Sequence, residues 1–117
     1  MAKFMFVYRN SEEAEREEMS PEQMQQVLQH WMNWIQGGME AGWMIDGGDA
    51  LLPVGKVVRA DGTITDGPFV ESKELVGGFS IVQADSVEEA AKLTENCPIF
   101  VAGGNVEVRQ LMNTGDM

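Results

Sequence analysis

The sequence predicts an α+β sandwich in which two helices lie on one face of an antiparallel sheet. Three observations carry this. The chain opens on an apolar alternation, Lys3 to Arg9. Two capped helix starts follow, at Ser20 and Ser86, and the stretches between and after them read as strands punctuated by turns. The resulting order, β, α, β-hairpin, β, α, β, is that of a ferredoxin-like sandwich.

In Lys3–Arg9, Phe4, Phe6 and Tyr8 share one face of a strand while Met5 and Val7 share the other. Both faces are apolar at the centre, so the strand is expected to be buried on both sides. Ser20-Pro21-Glu22-Gln23 supplies a serine cap, a proline at the first helical position and a glutamine that reaches back. Met24, Val27, Leu28, Trp31, Ile35 and Met39 then recur at spacings of three and four, the stripe of an amphipathic helix. Gly37-Gly38 weakens its last turn and Gly42 ends it. Trp43 to Ala50 reads as a short strand with a bend at Gly47-Gly48. Lys56 to Ala60 and Thr63 to Thr65 flank Asp61-Gly62, a hairpin signal, and Gly78 to Ala84 forms the next strand. Ser86-Val87-Glu88-Glu89 is a second capping box, opening a helix expected to run to about Asn96, before Pro98. Asn105 to Leu111 closes the chain as a strand. Two helices cover one face of such a sheet, and apolar residues left on the other mark an interaction surface. A homodimer packed sheet against sheet satisfies it.

With 117 residues the chain is one domain, residues 1–117, and 19 acidic against 8 basic residues leave a net charge of −11. Neutralising phosphates needs Lys and Arg, so this balance argues against nucleic acid and against an anionic membrane. Part of the charge is local: Glu12, Glu13, Glu15, Glu17 and Glu18 form a solvated acidic segment. Five apolar residues between Lys3 and Arg9 are too few for a signal or a spanning segment. One cysteine excludes an internal disulfide, and a cytoplasmic protein is expected.

The most informative stretch is Asp66-Gly67-Pro68-Phe69-Val70-Glu71-Ser72-Lys73-Glu74-Leu75-Val76-Gly77-Gly78. With the opening Phe4–Tyr8, Ser20-Pro21-Glu22, Ala41-Gly42, Leu51-Leu52-Pro53 and the closing Val106-Glu107-Val108-Arg109, it resembles the DGPF-domain, or YCII-related, family. The matches run in order over nearly the whole chain. The family usually has proline after the arginine where this chain has Gln110, so the resemblance carries the strand but not the course of the tail. It implies a dimeric α/β barrel. It also implies a possible link to bacterial regulation, because members are often encoded beside extracytoplasmic-function sigma factors.

His30 is the only histidine and the one side chain expected to titrate near neutrality. It sits at the edge of the helical stripe, on the side of Trp34. The resemblance implies a first-helix histidine paired with an aspartate; Asp46, Asp49 and Asp66 are the candidates, and such a pair does general acid–base chemistry. An ordinary boundary histidine is the competing reading. Asp66 is read as a turn-former or base and Lys73 as an anchor for an anionic group; with Glu71 and Glu74 they otherwise make a salt-bridged loop, weakly stabilising at about 0–1 kcal/mol per pair. Arg59, Glu107 and Arg109 are charges inside strand patterns, Glu107 and Arg109 on one face by parity. Arginine holds a carboxylate with two bonds, which points to a small acidic metabolite.

Cys97 before Pro98 lies at a helix C-terminus, whose negative pole disfavours a thiolate nucleophile. One histidine and one cysteine make no closed zinc site, the glycines form no phosphate or dinucleotide loop, and no cofactor is expected. The expected function is a dimeric small-molecule-binding or accessory module with a metabolite or regulatory protein as partner. The alternatives are a cofactor-independent isomerase, lyase or hydrolase using His30 with an aspartate, or a purely structural partner protein.

Overall fold

The computed structural model describes residues 1–11, 19–67 and 74–113. Strand β1 (Ala2–Ser11) leads to helix α1 (Pro21–Ala41) and the short β2 (Met44–Asp46). Strands β3 (Gly55–Val58) and β4 (Ile64–Gly67) follow, then β5 (Glu74–Ala84), α2 (Val87–Lys92), a 3₁₀ turn (Pro98–Phe100) and β6 (Asn105–Gln110). The main sheet has the order β2-β5-β1-β6, with every neighbouring pair antiparallel. This is the expected ferredoxin-like α+β order: two split β-α-β units, each helix returning the chain past one intervening strand.

The local chemistry of α1 is as the sequence predicts. Ser20 accepts a hydrogen bond from Gln23 N–H at 3.1 Å, and the Gln23 side chain accepts from Ser20 N–H at 3.0 Å. Gly42 closes the helix in the left-handed region at φ 89°. Gly38 has a packing reason beyond the helix: a β-carbon there would sit 2.8 Å from the Trp43 indole. The ring uses the space that the missing side chain leaves.

Both helices lie on one side of the sheet. Phe4, Phe6 and Tyr8 of β1, Val82 and Ala84 of β5, Met44, Ala90, Cys97 and Ile99 are buried together there. Trp31, Trp34, Ile35, Trp43, Val106 and Val108 pack around them. Only one face of β1 is therefore buried: Met5 and Val7, expected to be covered too, are half-buried in the single chain. The apolar stripe of α1 is also less covered than its spacing suggests. Residues 21–30 are all exposed, and Leu28 and Met39 are 55% and 53% exposed, because contact with the core begins only at Trp31.

Three boundaries differ from the sequence expectation. The second helix stops at Lys92, since Leu93, Thr94 and Glu95 donate to carbonyls three residues back and the backbone tightens into turns before Asn96 at φ 65°. The stretch 43–50 keeps only three strand residues plus an isolated bridge, Ala50 to Gly78. The hairpin is present, but β3 and β4 form a two-stranded sheet of their own. Its Asp61-Gly62 signal sits in a loop closed by Arg59 N–H donating to Thr63 O at 2.9 Å, with Gly62 at φ 89°. A three-residue loop ending in a left-handed glycine replaces a two-residue turn.

Candidate ligand-binding face

Alternation along β1 sends Lys3, Met5, Val7 and Arg9 to the face away from the helices. The register sets Phe79 beside Val7 and Ile81 beside Met5 on β5, and Glu107 beside Val7 and Arg109 beside Met5 on β6. An apolar strip of four half-buried side chains, Met5, Val7, Phe79 and Ile81, thus runs next to a charged edge. A bulge between β1 and β5 follows Tyr8, so Arg9 lies where the ladder is irregular on one side and regular on the other.

At that edge one carboxylate serves two guanidiniums. Arg9 Nη2 donates to Glu107 Oε1 at 2.9 Å, and Arg109 Nη1 donates to Glu107 Oε2 at 3.3 Å. The Arg109 bond, with that from Arg9, holds the Glu107 carboxyl below its ordinary range. Arg9 and Glu107 are partly shielded, whereas the Arg109 side chain is 72% exposed. Lys3 lies further along the same face of β1, opposite Gln83, so this face carries Lys3, Arg9 and Arg109 on a chain whose net charge is −11. Arg9 was missed by sequence reasoning that singled out Glu107 and Arg109. Its parity with Met5 and Val7 was the available signal, but only the β1–β6 register shows that this face is shared.

The other expected site residues are dispersed. His30 is exposed on α1, and no hydrogen bond or ion pair joins it to a carboxylate among the described residues. Of its candidate partners, Asp46 Oδ1 accepts from Gly48 N–H at 2.8 Å and holds the bend after β2, and Asp49 is exposed. Asp66 stands within β4 as the cross-strand partner of Lys56, whose ammonium donates to it. A side-chain bond to the backbone two positions on is ruled out for it, because that residue is Pro68, which has no N–H to donate. Arg59 is exposed at the hairpin loop. Glu71 and Lys73 lie outside the described residues, and of Glu74 only the backbone, at the start of β5, is described.

A second polar feature lies on the helix side, and no motif pointed to it. Tyr8 Oη donates to Ser80 Oγ at 2.7 Å, and Ser80 Oγ donates to the Gly47 carbonyl at 2.8 Å. Tyr8 meets Trp31 edge-on at 4.8 Å between ring centroids, and Trp34 continues the cluster to Trp43 at 5.6 Å. Burial pushes the Tyr8 phenol far above its ordinary value, so it acts as a hydrogen-bond donor and not as a base. Burial likewise pushes the Cys97 thiol up to about 11, which leaves it inert. Among the described residues no cluster of His, Cys, Asp or Glu is arranged to hold a metal. No helix among them is long and apolar enough to cross a membrane.

Compared with known proteins, residues 2–114 match the YCII-related domain. No curated protein matches the chain. Among solved structures, a 5-chloro-2-hydroxyhydroquinone dehydrochlorinase from Burkholderia phenoliruptrix AC1100, in complex with 2,5-dihydroxybenzoquinone, is similar at 17% identity. The alignment covers 97% of each chain with a TM-score of 0.44.

Proposed function

The chain belongs to the YCII-related family, and from that premise we propose that it works as a homodimeric module binding a small acidic metabolite on the sheet face turned away from its helices. The observation that carries this reading is the shared carboxylate: Glu107 satisfies Arg9 at 2.9 Å and holds Arg109 by one longer bond of 3.3 Å. Among the described residues Arg109 therefore keeps most of its donors for a second anion, and a planar guanidinium can donate two parallel bonds to a carboxylate. The adjoining strip of Met5, Val7, Phe79 and Ile81 supports the dimer, since a contiguous apolar face on a soluble chain asks for cover. A second copy packed on β1 and β5 leaves the β6 edge as a polar wall beside the seam.

Nothing in this arrangement moves a proton. His30 lies on the opposite layer, so binding, and not acid–base catalysis, is the reading it supports. In a bacterial regulatory setting of the kind the family suggests, ligand occupancy would be read by a protein partner.

The test is a thermal-shift and calorimetric screen of small mono- and dicarboxylates against wild type, Arg109→Ala and Glu107→Gln. Binding by wild type that weakens at least tenfold in Arg109→Ala and strengthens in Glu107→Gln is expected. A carboxylate that binds all three alike would place the site elsewhere and refute the proposal.

A further inference from the structure

The β3–β4 hairpin is a two-stranded sheet of its own, apart from the main sheet. Its four ladder pairs, from Gly55–Gly67 to Val58–Ile64, join only β3 to β4, and among the described residues it makes no substantial packing contact with either helix or the main sheet. An isolated two-stranded hairpin is marginal in water. This one also exposes aliphatic side chains: Val58 and Ile64 form a cross-strand pair that is 67% and 62% exposed, and Leu52 and Val54 before it are 78% and 75% exposed. A free surface arm would carry polar residues at such positions.

The dimensions match. The Cα radius of gyration is 15.8 Å, against about 13 Å for a compact domain of this length. The chain exposes 8520 Å², whereas a self-contained globule of 12.9 kDa exposes roughly 6,300 Å². The excess, on the order of 2,000 Å², is more than the roughly 800 Å² each partner gives to a standard interface. The smallest principal extent is only 18 Å, the thickness of a sheet and one helix layer. The arm therefore extends sideways and does not fold back over either face of its own chain.

We propose that this hairpin is a dimerisation arm whose Val58–Ile64 pair is buried against a second copy of the chain. The inference rests on the homodimer reading and adds the element that clasps it. A second copy is the occupant that charge favours. Two chains at −11 repel each other, yet in the arm Lys56 and Arg59 balance Asp61 and Asp66, and Lys56 and Asp66 already satisfy each other. This neutral segment approaches an acidic copy without added repulsion. Isologous symmetry then buries both arms together.

Sedimentation of wild type and of Val58→Thr/Ile64→Thr tests the arm, since threonine keeps strand propensity and adds no charge. Near-UV circular dichroism of the tryptophans reports whether the core of the variant is intact. A wild-type dimer with at least a tenfold larger dissociation constant in the variant, at unchanged tryptophan signal, is expected. Hydrogen exchange in wild type should be slow at Val57 and Thr65 above the dissociation constant and fast below it. An unchanged dimer in the variant, or arm amides that exchange fast in the dimer, overturns the arm and leaves the homodimer reading standing. A wild-type monomer overturns both.

Discussion

Replacing Ser80 should destabilise the fold more than replacing Tyr8, although the two side chains share one hydrogen bond. Ser80 is fully buried and Tyr8 is 5% exposed, and the bond between them is 2.7 Å. In Tyr8→Phe, Ser80 loses an incoming donor but still donates to the Gly47 carbonyl, so no donor is stranded. That substitution should cost about 0.5–1.5 kcal/mol, the net contribution of one ordinary hydrogen bond. In Ser80→Ala the phenol has no acceptor inside a shell of tryptophan rings, and the Gly47 carbonyl loses its partner as well. A stranded buried donor costs about 1–3 kcal/mol, so the total should reach about 2–3 kcal/mol. The double variant removes the stranded phenol and should cost no more than Ser80→Ala alone, a coupling that additivity forbids. Urea unfolding at one fixed protein concentration, followed by tryptophan fluorescence, reads all four proteins. Equal costs for the two single variants, or strict additivity in the double, would refute the reasoning.

Gly48→Ala should unfold the bend after β2, because the backbone is at φ 69° and a β-carbon would overlap the Phe79 carbonyl oxygen; loss of the cooperative transition at room temperature checks this. Phe6→Ala should cost about 3–5 kcal/mol in the same urea assay, since its side chain is fully buried in the central strand. The folded Glu107 carboxyl is lowered by its two arginines, so its contribution is complete above the unfolded carboxylate value and is lost as pH falls through the lowered one. Glu107→Gln should therefore lose stability less steeply than wild type below about pH 4.5, as thermal melts across that limb would record. Cys97, 2% exposed and with its thiol pushed up to about 11, should not react with a thiol reagent at pH 8 until the chain is denatured.

Local rules made most of the fold legible. The capping box at Ser20–Gln23, the left-handed Gly42 and the alternation Phe4-Phe6-Tyr8 all act within a few residues, and each stands in the structure where its spacing sets it. The second helix was overextended because its cap, Ser86 accepting from Glu89 N–H, is a strong start signal while its end depends on turns that carry no mark in composition. The independence of the β3–β4 hairpin was not readable, since Asp61-Gly62 specifies a reversal and says nothing about which sheet the strands join. For the site, parity put Glu107 and Arg109 on one face, but Arg9 entered only through the β1–β6 register, a contact across 98 positions of sequence. The Tyr8–Ser80–Gly47 chain was likewise invisible, because both side chains are ordinary strand residues until the sheet aligns them.

The measurement that bears most directly on the central claim is the molar mass of wild type in solution, by light scattering across a dilution series. A sheet face that needs a second copy predicts twice the 12.9 kDa chain mass, held down to low micromolar concentration. A constant 12.9 kDa would mean that Met5, Val7, Phe79 and Ile81 face water unaided, and the account of the ligand-binding face would fall with the dimer.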